Sequence, residues 1–139
     1  MAINEYLLYA LQSYYPMDYE RIEKVEQIDA GLLYVKLNDG RIGYFSSSFS
    51  NYYELIIVYR PGDDFDEAWK YAFSVLFRYE LGILCMRQYT LSDLTGIPKQ
   101  TLSAYAVGKT MPSAANIAKI AKVLRMPSSF FIDCLDDLL

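Results

Sequence analysis

Four polar residues lie close together in one short segment, TGIPKQTLSAYAVGKTMPS at positions 95–113. They are Lys99, Gln100, Thr101 and Ser103. Ammonium and carboxamide groups donate hydrogen bonds to the edges of purine bases, and hydroxyl groups bond either a base or a phosphate. Any one of these residues, taken alone, would be an ordinary solvated helix residue. Together, on a helix of about ten residues bounded by proline and glycine, they indicate a surface that binds a polyanion.

Three short helices separated by tight turns are predicted to position these side chains. Gly96 suits the left-handed residue that follows a helix, Pro98 suits the first turn of the next helix, and Ser113 suits an N-cap. Leu102 and Tyr105 are expected to turn inward and to leave the polar side of their helix outside. The predicted helices cover RQYTLSDLT (87–95), PKQTLSAYA (98–106) and SAANIAKIAKVL (113–124), and a last helix follows in SSFFIDCLDDL (128–138).

The charged residues are distributed unevenly along the 139-residue chain, whose formal net charge is -4. The first 76 residues carry 12 acidic and 6 basic side chains, whereas residues 77–128 carry 7 basic and 2 acidic ones. A basic segment within an acidic chain is the electrostatic pattern of a part that binds nucleic acid. Scatter in a short chain is the alternative explanation.

Residues 87–132 resemble the helix-turn-helix of the lambda repressor/Cro (XRE) family, over about a third of the chain. The resemblance rests on the order of the turn residues and of the apolar positions between them. The matching positions are Gln88, Leu91, Ser92, Gly96, Ile97, Leu102, Ser103, Tyr105, Gly108, Lys109, Pro112, Ser113, Ile117, Ile120, Ala121, Leu124 and Phe130.

The resemblance implies an all-α bundle that binds double-stranded DNA, with the helix that begins near Pro98 in the major groove. Free backbone N–H groups at the starts of the helices near Arg87 and Ser113 are expected to bind phosphates, with Lys109 nearby. The candidate DNA-binding residues are Arg87, Gln88, Lys99, Gln100, Thr101, Ser103, Lys109 and Ser113.

The amino-terminal part is predicted to form a small antiparallel sheet with flanking helices. A first helix ends before Pro16, and a hairpin turns at 38–40, where Asn-Asp-Gly tolerates positive φ. A further strand covers 53–60 after a loop at 46–51. Residues 21–28 fit either a helix or a strand, and we favour the strand because the sheet needs a neighbour.

A long helix at 65–82, with Asp63, Asp64 and Asp66 as its N-cap and first-turn acids, is expected to link the two parts. Its apolar residues Trp69, Phe73, Leu76, Phe77 and Leu81 can face a core. The predicted fold class is therefore α+β. We expect two domains, a partner-binding or dimerisation domain at 1–64 and the helix-turn-helix domain at 65–139.

Composition argues against several classes of function. The chain has no histidine and two distant cysteines, Cys85 and Cys134, so we expect no zinc or other metal site, no disulfide framework, no cofactor and no enzymatic activity. The amino terminus lacks the positive region of a secretory signal. Charges interrupt the most apolar segment, 65–86, so no membrane span is expected. We therefore expect a cytoplasmic protein.

Two functions remain open. The first is a sequence-specific transcriptional regulator, a repressor of phage or mobile-element origin, that binds as a homodimer to a two-fold operator. Five apolar residues near the carboxyl terminus are one candidate contact surface for it. The second is a phage-type, anti-CRISPR-like protein inhibitor whose helix-turn-helix represses its own gene. The candidate contact surface of the homodimer consists of Phe130, Phe131, Leu135, Leu138 and Leu139.

The 14 tyrosines of the chain bear on the second function, because many of them lie in the amino-terminal part. Burial in the sheet would explain most of them, whereas exposed tyrosines would form a protein-binding surface. An acidic surface that imitates nucleic acid would rest on Glu20, Glu23, Glu26 and 63–67. The tyrosines concerned are Tyr14, Tyr15, Tyr19, Tyr34, Tyr44, Tyr52, Tyr53 and Tyr59.

Overall fold

Segments rich in β-branched, aromatic and other apolar residues, joined in part by tight turns, build a four-stranded antiparallel sheet in the amino-terminal part. The computed structural model describes residues 1–47 and 52–139. The strands lie side by side in chain order, and each pairs with its neighbours in the antiparallel sense. They are β1 (Ile22–Asp29), β2 (Leu32–Leu37), β3 (Ile42–Ser46) and β4 (Glu54–Tyr59).

The predicted turn at 38–40 joins β2 to β3 and is confirmed. Gly40 adopts φ +95°, and its N–H donates to the carbonyl of Leu37 at 3.0 Å. Asp39 accepts from the backbone N–H of Arg41 at 3.1 Å and from its Nε at 2.8 Å. The backbone hydrogen bond is the main cause that holds the pKa of Asp39 below its ordinary value. Arg41 also reaches Asp18 at 2.8 Å, which ties the turn to the chain before β1.

The first helix packs its apolar side against one face of this sheet. Helix α1 (Glu5–Tyr14) is capped by Asn4, whose side chain accepts from the N–H groups of Tyr6 and Leu7 at 3.0 and 3.2 Å. Pro16 does end α1, but it also begins a one-turn helix, α2 (Pro16–Tyr19), that the sequence did not predict. One hydrophobic core cluster of this part consists of Leu7, Ala10, Leu11, Leu33, Val35, Leu37, Phe45 and Leu55.

The ambiguous segment 21–28 forms strand β1, as favoured. The strand predicted at 53–60 is confirmed as β4. The loop predicted at 46–51 is only partly testable, because Ser46 ends β3 and residues 48–51 lie outside the described residues.

A long helix, α3 (Phe65–Ile83), begins the carboxyl-terminal part. Its N-cap is Asp64, which accepts from the N–H of Glu67 at 3.1 Å, and Asp66 lies in the first turn. Asp63 does not cap this helix. It accepts instead from the N–H of Arg60 at 2.8 Å, since the chain turns at 60–63 before the helix starts.

Aromatic rings form the core of the helical part, and Phe73 lies at their centre. Its ring stacks on Trp69 and on Phe77, each with a centroid distance of 5.6 Å. It also contacts Phe131 at 5.4 Å and Tyr105 edge-on at 6.0 Å. All the residues of α3 that were expected to face a core are buried.

Four shorter helices follow α3, and the predicted last helix is broken in two. Asp133 ends α7, and Leu135 precedes a separate 3-10 turn at 136–138. Phe131 and Leu135 are fully buried, so the predicted contact surface at the carboxyl terminus is wrong for these two residues. The helices are α4 (Gln88–Thr95), α5 (Lys99–Ala106), α6 (Ala114–Leu124) and α7 (Ser129–Ile132).

The contacts between Cα atoms divide the chain into two units, Met1–Asp63 and Asp64–Leu139. The first is mixed α and β and the second is helical, so the protein is of the α+β class. Within 1–47 and 52–139, no helix has both the length and the apolar character that crossing a membrane requires.

Two glycines of the helical unit allow a test of the left-handed backbone conformation at the end of α4. Gly96 has φ +77° and Gly82 lies within α3, and nothing lies within 4 Å of a Cβ added at either position. We expect Gly96→Ala to destabilise the protein by about 1 kcal/mol, because the left-handed backbone conformation is strained for an alanine. Gly82→Ala is the matched control and should stabilise it by about 0.5 kcal/mol. Urea denaturation monitored by tryptophan fluorescence measures both, and a stabilising Gly96→Ala would contradict the assignment.

Candidate nucleic-acid interface

Side chains as well as glycine specify the turn between α4 and α5. Gly96 ends α4, and the hydroxyl of Ser92 donates to the carbonyl of Ile97 at 2.6 Å. Thr95 donates to the carbonyl of Leu91 at 2.7 Å and accepts from the N–H of Ile97 at 3.2 Å. These bonds satisfy backbone groups that a helix end leaves open, and they determine the direction in which α5 starts.

One side of α5 is fastened to the rest of the helical unit. Leu102 and Tyr105 are buried, as predicted, and Ala106 is buried beside them. The hydroxyl of Tyr105 accepts from the side-chain nitrogen of Asn116 at 2.8 Å, which joins α5 to α6. The ring of Tyr105 meets Phe73 of α3. Helix α5 is therefore held from two directions.

The other side of α5 carries the polar residues that the sequence singled out. Lys99, Gln100 and Ser103 are exposed, and Thr101 is half-buried. Pro98 stands immediately before the helix, and not within its first turn as predicted. The free face thus presents an ammonium, a carboxamide and a hydroxyl group from an eight-residue helix.

A hydrogen bond links α5 to the first residue of α4. The hydroxyl of Ser103 donates to Oε1 of Gln88 at 2.8 Å. Because this bond holds the carboxamide of Gln88 across the two helices, the amide nitrogen of Gln88 points its donors elsewhere. Arg87 is the N-cap residue of α4, and no side chain caps that helix.

The remaining candidate residues lie around the loop between α5 and α6. Ser113 caps α6 by accepting from the N–H of Asn116 at 3.1 Å, as predicted. Lys109 is exposed, and its backbone N–H donates to the carbonyl of Ala104 at 2.9 Å. Both residues belong to the helical unit.

A groove of about 470 Å³ joins three of the eight candidate residues, Arg87, Gln88 and Lys99. The other five do not line it. Arg78 of α3 and Tyr89 of α4 do, although they were not among the candidates. The groove has two further apolar lining residues, Leu81 and Met86.

Only its positive charge could have marked Arg78 as a candidate residue in the sequence. It belongs to the basic segment at 77–128, but it precedes the region that resembles a known motif. Its position beside the groove follows from the packing of α3, which no local pattern encodes.

Two observations on the described residues concern metal binding and the reactivity of a buried thiol. Within 1–47 and 52–139, no three His, Cys, Asp or Glu side chains come together in a way that could hold a metal ion. Cys134 is buried, and burial raises the pKa of its thiol to about 12. Because the thiolate is the nucleophilic form, Cys134 is inert near neutral pH.

Comparison with protein families agrees with this geometry. Residues 86–131 match the family model described as helix-turn-helix. The carboxyl-terminal half contains an XRE-type helix-turn-helix. The match extends from the residue before the N-cap of α4 to α7, and it leaves residues 1–85 unmatched. No curated protein matches the chain.

Helix-turn-helix domains of this family bind DNA in the regulation of transcription and are not enzymes. The match therefore supports a DNA-binding, regulatory role for the chain. It does not extend to the amino-terminal unit.

The two cysteines give a test of the packing in the helical unit. We expect iodoacetamide to alkylate Cys85, which is exposed, and to leave Cys134 unmodified in the native protein. Peptide mass spectrometry identifies the labelled site. Alkylation of both cysteines in guanidinium chloride is the control, and rapid native labelling of Cys134 would contradict its burial.

Proposed function

We propose that the protein is a sequence-specific transcriptional repressor that inserts α5 into the major groove of its operator. The observation that carries this proposal is the exposure of Lys99, Gln100 and Ser103 on one side of a helix whose other side is fixed by packing. An eight-residue helix is about 12 Å long, close to the width of the major groove.

Each exposed group of α5 has a chemical counterpart on a base. The carboxamide of Gln100 suits the paired donor and acceptor of adenine, and the ammonium of Lys99 suits the acceptors of guanine. Ser103 and Thr101 suit either a base or a phosphate. Because Ser103 already donates to Gln88, its part in recognition is to hold that side chain toward the DNA.

Contacts with the DNA backbone would place α5 in register. Arg87 stands at the uncapped start of α4, where free N–H groups favour an anion. Lys109 and Ser113, around the loop before α6, are proposed to contact a second phosphate. Such contacts set the position of the domain and carry no sequence information themselves.

We further propose that the protein acts as a homodimer on a two-fold operator, with the amino-terminal unit as the dimerisation or partner-binding part. One short helix covers only a few base pairs, and two half-sites about one helical turn apart multiply the affinity. An origin in a phage or another mobile element is consistent with the resemblance to lambda repressor and Cro.

The recognition role of α5 is tested with Lys99→Ala combined with Gln100→Ala. Each bidentate base contact contributes about 1–3 kcal/mol of discrimination, so the double variant should lose about 30-fold or more in specific affinity. The preferred site is first selected from random duplexes with the wild-type protein, and fluorescence anisotropy then gives affinities for that site and for a scrambled one.

Lys119→Ala is the matched control for that experiment, because Lys119 is an exposed lysine of α6. It should keep the ratio of specific to non-specific affinity. An unchanged ratio in the double variant would show that another element reads the bases.

A second candidate function is supported by exposed tyrosines on α1. Tyr6, Tyr9 and Tyr14 are 86%, 70% and 62% exposed, and tyrosine is enriched at protein interfaces. These side chains suit an anti-CRISPR-like inhibitor that binds another protein through its amino-terminal unit. Imitation of nucleic acid is less well supported, because Glu23 and Glu26 pair with lysines at 3.2 and 3.0 Å.

The tyrosines of α1 allow the two roles of the amino-terminal unit to be separated. If they form the dimer contact, Tyr6→Ser with Tyr9→Ser should convert a dimer into a monomer, measured by light scattering after gel filtration. Tyr71→Ser, at an exposed tyrosine of α3, is the matched control and should stay dimeric. A double variant that remains a dimer and keeps its operator affinity would instead favour a second protein as the ligand of this surface.

A further inference from the structure

The groove of about 470 Å³ in the helical unit has the chemistry of a phosphate site, and we call it the basic groove. Four stretches of chain meet there: the last turns of α3, the connection after it, the first turn of α4 and the first residue of α5. Its lining residues are Arg78, Leu81, Met86, Arg87, Gln88, Tyr89 and Lys99.

The charge of the basic groove is of one sign. Arg78, Arg87 and Lys99 are cationic, and none of the described residues that line the groove is a carboxylate. None of the ion pairs between described residues involves these three side chains. Three cations brought together without a counter-ion repel one another, and an anion between them would relieve that repulsion.

Two helix starts add to the positive potential of the basic groove. Helices α4 and α5, each of eight residues, begin at its lining residues Gln88 and Lys99. Neither helix has a side-chain cap or an acidic residue in its first turn. Their first N–H groups are therefore available to an anionic oxygen.

The apolar lining residues strengthen this potential. Leu81 is buried and Met86 is half-buried, so part of the wall has a low dielectric constant. Such walls concentrate the field of the charges beside them. The Nε of Arg78 donates to the carbonyl of Ser74 at 3.2 Å, and this bond orients its guanidinium.

We propose that the basic groove binds one backbone phosphate of the DNA duplex and that Arg78 is a DNA-contacting residue. This inference rests on the proposed function. Lys99 both lines the groove and begins α5, so a duplex read by α5 passes the groove with its backbone. The guanidinium of Arg78 and that of Arg87 supply charge-assisted hydrogen bonds to the phosphate oxygens.

A phosphate contact has a signature that base recognition lacks. Arg78→Ala should weaken binding to the selected site and to scrambled DNA by the same factor, about tenfold. The slope of log affinity against log salt concentration should fall by about 0.9, the contribution of one phosphate contact. Fluorescence anisotropy between about 50 and 200 mM salt measures both quantities.

Two controls accompany Arg78→Ala. Arg78→Lys keeps the charge and should keep most of the salt slope. Lys119→Ala removes a charge that does not line the groove, and it should leave the slope closer to wild type than Arg78→Ala does. Thermal unfolding of each variant verifies that the fold is intact, which we expect because Arg78 is exposed.

The outcomes separate this inference from the proposed function. If the wild-type protein binds DNA and Arg78→Ala leaves the salt slope unchanged, the inference is wrong and the proposed function stands. If the wild-type protein selects no DNA site, the proposed function is wrong, and the inference about Arg78 falls with it. A free phosphorylated ligand is tested by calorimetric titration with inorganic pyrophosphate. Saturable binding that is lost in Arg78→Ala, while that variant keeps wild-type affinity for DNA, would overturn the assignment to DNA.

Discussion

The contact of Tyr105 with Phe73 and Asn116 is the interaction on which the candidate interface depends. Helix α5 has eight residues, too few to be stable by itself in water, so its shape and direction come from packing. Phe73 contacts four aromatic rings, and one of them belongs to α5. The polar face of α5 is consequently exposed in a defined orientation, which a flexible segment of the same composition would not have.

Local charge, and not total charge, determines which ligands a small domain attracts. The chain is anionic as a whole, yet the helical unit gathers three cations around two helix starts, and none of them forms an ion pair with another described residue. Screening limits interactions between exposed charges to about 8 Å at physiological ionic strength, so the net charge of a chain says little about the field at one site. In the amino-terminal unit the basic side chains mostly pair with neighbouring acids, as Lys36 does with Glu23.

Turn and cap residues made the helix boundaries predictable where they were present. Gly96, Ser113 and Asp64 each perform the role that their residue type favours. Other backbone features have no such residue to mark them. Cys85 has φ +51° after α3, a position that usually takes glycine, so the sequence contained no signal for it. The break after α7 was missed because no glycine or proline marks it, and the pattern of 128–138 is that of a single amphipathic helix.

The sequence by itself determined most of the secondary elements, the hairpin at 38–40, the helix-turn-helix and the set of polar residues on α5, because each depends on neighbours within a few positions. Only the tertiary structure decided which of these residues meet. It placed Arg78 beside Arg87 and Lys99, joined Ser103 to Gln88, and buried Phe131 and Leu135. Contacts between residues far apart in the chain depend on how helices pack, and packing is a property of the whole core and not of any local pattern.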